Sequence, residues 1–195
     1  WNVPNVLTYG RIVAVPLVAA LLLWNDRAEA ITGLGVMSAR WIALGIYVVA
    51  AITDFFDGYL ARRWQQQSSL GRMLDPIADK VLVAVILLVL CGDQILRGGH
   101  VWAAIIILAR EVLVSGLREY LGQLSVSVPV TQIAKWKTTV QLVAIGFLIA
   151  GPAGDEIIPG VTVIGIAGLW IAAALTLYTG YDYFRAGLRH VVDNE

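Results

Sequence analysis

The chain has 195 residues, 58% of them hydrophobic and only 14% charged. A water-soluble domain usually carries about 25% charged residues, so a soluble globular class is excluded. The formal net charge of +0 offers no global attraction to nucleic acid, and a single cysteine, Cys91, excludes an intrachain disulfide framework and a thiolate metal cluster.

Six apolar segments are each long enough, at about 20 residues, to span a bilayer. They are expected over 6–24, 41–61, 76–96, 101–121, 133–150 and 161–184. Turn-forming residues separate them: Asn25-Asp26, Gly92-Asp93, Gly98-Gly99, Gly151-Pro152-Ala-Gly154 and Pro159-Gly160. No linker divides the chain, so one membrane domain over 1–195 is expected. No basic start with a short apolar run and a small-residue cleavage site is visible. The sequence opens on Trp1, and residues are expected to precede it.

Basic residues are uneven along these segments. Arg11, Arg62, Arg63, Arg72, Lys80, Arg110, Arg118, Lys135, Lys137, Arg185 and Arg189 gather toward one end, while Arg27, Arg40 and Arg97 lie toward the other. By the positive-inside tendency, both termini face the cytoplasm. Trp24, Trp41, Trp102, Tyr178, Tyr181 and Tyr183 fall near segment ends, as an interfacial aromatic belt does. Cys91 reads as a small apolar residue, and His100 and His190 stand too far apart in the chain to suggest a shared metal.

Between the second and third segments lie four aspartates: Asp54 and Asp57, then Asp75 and Asp79. Spacings of three and four put each pair on one helix face. Pro76 suits a first helical turn, with Asp75 as the N-cap. The link from Arg63 to Ser69 lets the two helix ends lie antiparallel, so the pairs can converge. Ionised groups in an apolar setting are functional-site candidates by default. Four carboxylates suggest a hard divalent cation, or a pair about 3.5–4 Å apart. The bland reading is four loop residues solvated at the membrane surface; Arg62 and Arg63 neutralise at most two of them. A small cation transporter is a further alternative, but it predicts broken helices or repeated halves near the midplane.

The full pattern is D-x2-D-G-x2-A-R-x8-G-x3-D-x3-D, running from Asp54 through Gly58, Ala61, Arg62 and Gly71 to Asp79 without a deviation. It resembles the signature of the CDP-alcohol phosphotransferases. The resemblance implies a six-helix membrane fold, commonly dimeric, that transfers a phosphoryl-linked group from a CDP donor to an alcohol and releases CMP. It implies that Asp54, Asp57 and Asp75 hold divalent metal, Mg2+ or Mn2+ and two per site. Asp79 would serve both as ligand and as the base that takes the acceptor's proton. Gly58, Ala61, Arg62 and Gly71 would line the cytidine and pyrophosphate site.

The acceptor is a separate question. Arg110 and Arg118 lie in the fourth segment, with Glu111 and Glu119 beside them, and Lys135 and Lys137 open the fifth. Lysines at a helix start oppose the helix dipole, and an anionic ligand is one reason for them. Snorkelling toward lipid headgroups is the other. Arg110 sits too deep in its apolar run to snorkel easily; Glu111 or an aspartate of the cluster could neutralise it. The opening Pro4-Asn5-Val-Leu7-Thr8-Tyr-Gly-Arg11, the Arg110-Glu111 and Arg118-Glu119 pairs, and Lys135-x-Lys137-Thr138-x2-Gln141 resemble the branch that makes phosphatidylglycerophosphate. That implies CDP-diacylglycerol as donor and sn-glycerol 3-phosphate as acceptor, in a bacterial inner membrane with the active site cytoplasmic. Thr8, Arg110, Arg118, Lys135 and Lys137 would bind the acceptor's phosphate. Inositol phosphate stays open as an alternative acceptor.

Overall fold

The computed structural model describes the backbone of residues 3–24, 26–64, 69–123 and 132–192, and the side chains of 9–24, 29–53, 74, 77, 78, 80–122, 136–181 and 183–185. Every regular element among them is helical: α1 (Val3–Leu22), α2 (Asp26–Thr32), α3 (Val36–Trp64), α4 (Ser69–Gly92), α5 (Val101–Gln123), α6 (Gln132–Asp155) and α7 (Val161–Val192), with a 3-10 turn over Gly98–His100. Four stretches are long and apolar enough to cross a membrane: Val36–Thr53, Gly98–Gly122, Trp136–Asp155 and Val161–Arg185. Tyr9–Leu22 and Lys80–Gly92 are shorter apolar helices. Backbone groups have no water to bond in hydrocarbon, and helices satisfy them internally. The chain is an all-α integral membrane protein.

Two compact units are distinguished, one of Trp1–Leu96 with Ile145–Gly165 and one of Arg97–Ala144 with Ile166–Glu195. In the first, α1 packs against α3 and α4. Its buried face is built from Val15, Val18 and Leu22 on α1, Ala39, Ala43, Tyr47 and Ala50 on α3, and Leu82, Ile86, Leu87 and Leu90 on α4. The steps of three and four are the helical repeat, and the alanines let neighbouring backbones approach closely. The short α2 was not expected. It is tied down where Glu29 accepts the Val36 N–H at 3.1 Å and Trp24 Nε1 donates to the Leu34 carbonyl at 3.1 Å.

Several boundaries differ from expectation, two of them with a clear local cause. The turn residues 151–154 do not form a loop. The helix breaks at Gly151, where φ is 43° and ψ is −125°, and resumes to Asp155. Pro152 has no N–H to continue the first ladder but is well placed to start a new one. Asp155 then caps α7, accepting the Thr162 N–H at 3.1 Å and the Thr162 hydroxyl at 2.6 Å. The second difference is the start of α4, at Ser69 rather than at Pro76. Leu70, Arg72, Met73 and Leu74 are good helix formers, and they extend the helix backward past the proline. Asp75 is therefore inside α4 and is not its N-cap.

In the second unit, contacts rise together along α5 and α7. Trp170 Nε1 donates to His100 Nδ1 at 3.2 Å, Arg110 Nη2 to Thr179 Oγ1 at 3.1 Å, and Arg118 Nη2 to the Tyr183 hydroxyl at 3.2 Å. The two helices thus run in the same direction. Gly168 on α7 meets α6, where a methyl in place of its hydrogen would stand 3.0 Å from the Ala144 Cβ.

Candidate active site

The carboxylate motif falls on two successive helices. Asp54, Asp57, Gly58, Ala61 and Arg62 are on α3, and Gly71, Asp75 and Asp79 are on α4. Their side chains lie outside the described residues, as do those of Thr8 on α1 and Lys135 on α6. The donor set is four carboxylates with no thiolate and no imidazole among them. Oxygen-only ligation of that kind fits a hard divalent cation. The described residues contain no second group of three or more acidic, histidine or cysteine ligands.

The second unit holds three of the expected acceptor-binding cations: Arg110 and Arg118 from α5 and Lys137 from α6. Arg110 lies in an apolar run, and its side chain is 12% exposed. Nη2 is held by Thr179, Nη1 stands 3.7 Å from Glu111 Oε1, and the buried Nε has no hydrogen-bond partner among the described residues. Lys137 is 4% exposed and forms an ion pair with Glu111. That geometry rules out snorkelling for Lys137. Within α5, Ser115 Oγ donates to the backbone carbonyl of Glu111 at 2.6 Å. One turn beyond Lys137, Gln141 is also buried, and its Oε1 lacks a partner among the described residues.

Arg118 differs from Arg110 in how it is supported. Its guanidinium lies over the Tyr183 ring, 5.4 Å from the centroid, and also donates to the Tyr183 hydroxyl. Tyr183 is only 4% exposed, unlike Tyr178 and Tyr181, which are exposed. The expectation that Tyr183 belongs to an interfacial belt is corrected: this ring faces α5 and supports a cation. The stack leaves guanidinium N–H groups on its rim for other acceptors.

Sequence reading found the cations and missed what holds them. Glu111 stands 3.7 Å from Arg110, as their adjacency in sequence suggests, and it also pairs with Lys137 on the next helix, which local sequence does not show. Thr179, Gly180 and Tyr183 carried a usable signal. With Leu169, Ala172, Ala173 and Thr176 they fall on one buried face of α7 at steps of three and four, and polar residues on such a face call for partners.

The chain belongs to the CDP-alcohol phosphatidyltransferase family, whose model matches residues 1–178. These are transferases, and they generally work with a divalent metal. The chain is similar along its length to bacterial proteins named CDP-diacylglycerol--glycerol-3-phosphate 3-phosphatidyltransferase. The one from Cereibacter sphaeroides is 40% identical, covering 100% of this chain and 99% of that protein. The Rickettsia bellii protein is 43% identical over 95% of this chain and 94% of its own length. The Shigella flexneri serotype 5b protein is 36% identical over 99% and 98%.

Proposed function

We propose that this chain transfers the phosphatidyl group of CDP-diacylglycerol to sn-glycerol 3-phosphate, giving phosphatidylglycerophosphate and CMP. The observation that carries this is an unbroken carboxylate motif in a chain that matches, end to end, proteins named for that reaction. A transporter reading has no comparable support.

Asp54, Asp57, Asp75 and Asp79 hold the divalent metal, Mg2+ or Mn2+, two ions per site. When bound, the ions neutralise the pyrophosphate charge and stabilise the departing CMP. Gly58, Ala61, Arg62 and Gly71 receive the cytidine and pyrophosphate, small residues leaving room and Arg62 supplying charge. Asp79 takes the proton of the acceptor hydroxyl as it attacks the phosphorus attached to diacylglycerol. The P–O bond to CMP breaks as the new ester bond forms, with no covalent enzyme intermediate. Phosphoryl transfer of this kind rests mainly on positioning and electrostatics.

Thr8, Arg110, Arg118, Lys135 and Lys137 bind the phosphate of glycerol 3-phosphate. Support comes from the described cations. Arg110 keeps a buried N–H without an acceptor among the described residues, and Arg118 is stacked on Tyr183. Lys137 meets the phosphate in competition with Glu111. An acceptor without phosphate, such as serine, leaves this cluster without a purpose; inositol phosphate is the second reading, because it brings the same group. The chain acts as a single membrane domain in a homodimer, in the bacterial inner membrane with termini and site cytoplasmic. The lipid donor enters from the bilayer, and the acceptor enters from the cytoplasm. Assaying the purified protein with CDP-diacylglycerol and each acceptor in turn tests the reading: glycerol 3-phosphate supports CMP release, and a preference for inositol phosphate overturns it.

A further inference from the structure

Two adjacent residues of α7 meet Arg110, and neither belongs to the motifs above. Arg110 Nη2 donates to Thr179 Oγ1 at 3.1 Å. The Thr179 hydroxyl has one proton of its own, and the Leu175 carbonyl at 2.9 Å and the Thr176 carbonyl at 3.2 Å are its acceptors. That leaves its lone pairs to the guanidinium, in one orientation. At Gly180 a methyl in place of hydrogen would stand 3.0 Å from Arg110 Cγ, 3.5 Å from Nε and 3.9 Å from Cδ. The stem of Arg110 therefore lies against bare α7 backbone. Glycine weakens a helix interior relative to alanine, so its place here has a cause, and the Arg110 stem is that cause.

The arrangement leaves Arg110 Nε buried and without an acceptor among the described residues. A buried charged N–H in that state is unfavourable, and an anionic oxygen bound there relieves it. We infer that Thr179 and Gly180 are positioning residues for acceptor binding. The hydroxyl fixes one end of the Arg110 guanidinium, and the missing side chain sets its depth, so that the Nε–H is kept for the acceptor's phosphate. This rests on the assignment of Arg110 to that phosphate.

Full-length purified variants are tested with glycerol 3-phosphate and CDP-diacylglycerol varied separately. Removing binding that is equal in ground and transition states raises KM and leaves kcat alone. Gly180→Ala raises the KM for glycerol 3-phosphate about fivefold and Thr179→Val about tenfold, the loss of one hydrogen bond to a charged group. In both, kcat and the KM for CDP-diacylglycerol stay at wild-type values. Thr179→Ser keeps the hydroxyl and restores the acceptor KM. Gly168→Ala is the packing control: its methyl meets Ala144 Cβ at the same 3.0 Å but touches no cation. It lowers thermal stability and leaves both KM values unchanged.

The inference is overturned if Gly180→Ala and Thr179→Val leave the acceptor KM unchanged, or if they change both substrates' KM values alike. Should Thr179→Val not fold, the Gly180→Ala and Thr179→Ser pair decides alone. Failure of the underlying reading looks different. Wild-type protein would then prefer another acceptor, and the same series run with that acceptor still separates a rise in its KM, which supports positioning, from no change, which refutes it.

Discussion

The buried Lys137 on α6 forms an ion pair with the half-buried Glu111 on α5, and Arg110 Nη1 lies 3.7 Å from the same carboxylate oxygen. Among the described residues, one acid therefore faces two cations. Removing one partner of a buried pair strands the other, which is worse than removing both. Glu111→Gln lowers stability by about 1–3 kcal/mol in detergent unfolding. Glu111→Gln combined with Lys137→Met recovers most of that loss. A double variant as unstable as the single one would show that the pair is not coupled.

Arg118 and Tyr183 give a prediction about shape rather than charge. Lysine keeps the charge of Arg118 but has neither the planar stack nor the fork. Arg118→Lys raises the KM for glycerol 3-phosphate about tenfold, the scale of a charge-assisted hydrogen bond. The KM for CDP-diacylglycerol is unchanged. Tyr183→Phe keeps the ring beneath the guanidinium and loses only the hydroxyl, so its effect is smaller. Equal effects of the two variants in steady-state kinetics would contradict the stacking role.

Much of this was legible because ionisable residues stand out in apolar runs. Arg110, Arg118 and the aspartates were found in that way. What holds them was not, because it depends on tertiary contact. The approach of Glu111 to Arg110 is legible because the two are adjacent in sequence, but the Lys137 partner comes from α6. Gly151 and Pro152 are turn residues by any local rule, yet one residue at φ 43° suffices for the break and the helix continues. Pro76 is a start signal that good helix formers before it outweighed. Tyr183 was read by its position near a segment end, when its place on the buried face of α7 decides its role.

Gly151 supplies a test away from the chemistry. Its φ of 43° suits only glycine, and an added methyl would stand 3.2 Å from Arg40 Nη1. Arg40 is buried, donates to the Ile149 carbonyl at 3.2 Å and forms an ion pair with Asp93. Gly151→Ala therefore costs about 1–3 kcal/mol in thermal unfolding, the range for strained backbone. Both KM values stay at wild type. A change in acceptor KM here would show that this region influences acceptor binding.

The carboxylate motif makes the sharpest loss-of-function prediction. Asp57→Asn removes one charge from the proposed metal ligands while keeping the side chain's size. Activity falls by at least about a hundredfold, the scale of losing one electrostatic contact to a developing charge, while the protein stays folded in detergent. Chelation of divalent metal abolishes wild-type activity, and Mg2+ or Mn2+ restores it. Full activity in Asp57→Asn would remove this residue from the metal site.

The central claim is the pairing of donor and acceptor. Its most direct measurement supplies the purified protein with CDP-diacylglycerol in mixed micelles and counts CMP against phosphatidylglycerophosphate as glycerol 3-phosphate is added. The account predicts one CMP per phosphatidylglycerophosphate, no release without acceptor, and no label exchange between CMP and CDP-diacylglycerol in the acceptor's absence. No CMP release with glycerol 3-phosphate would contradict the account.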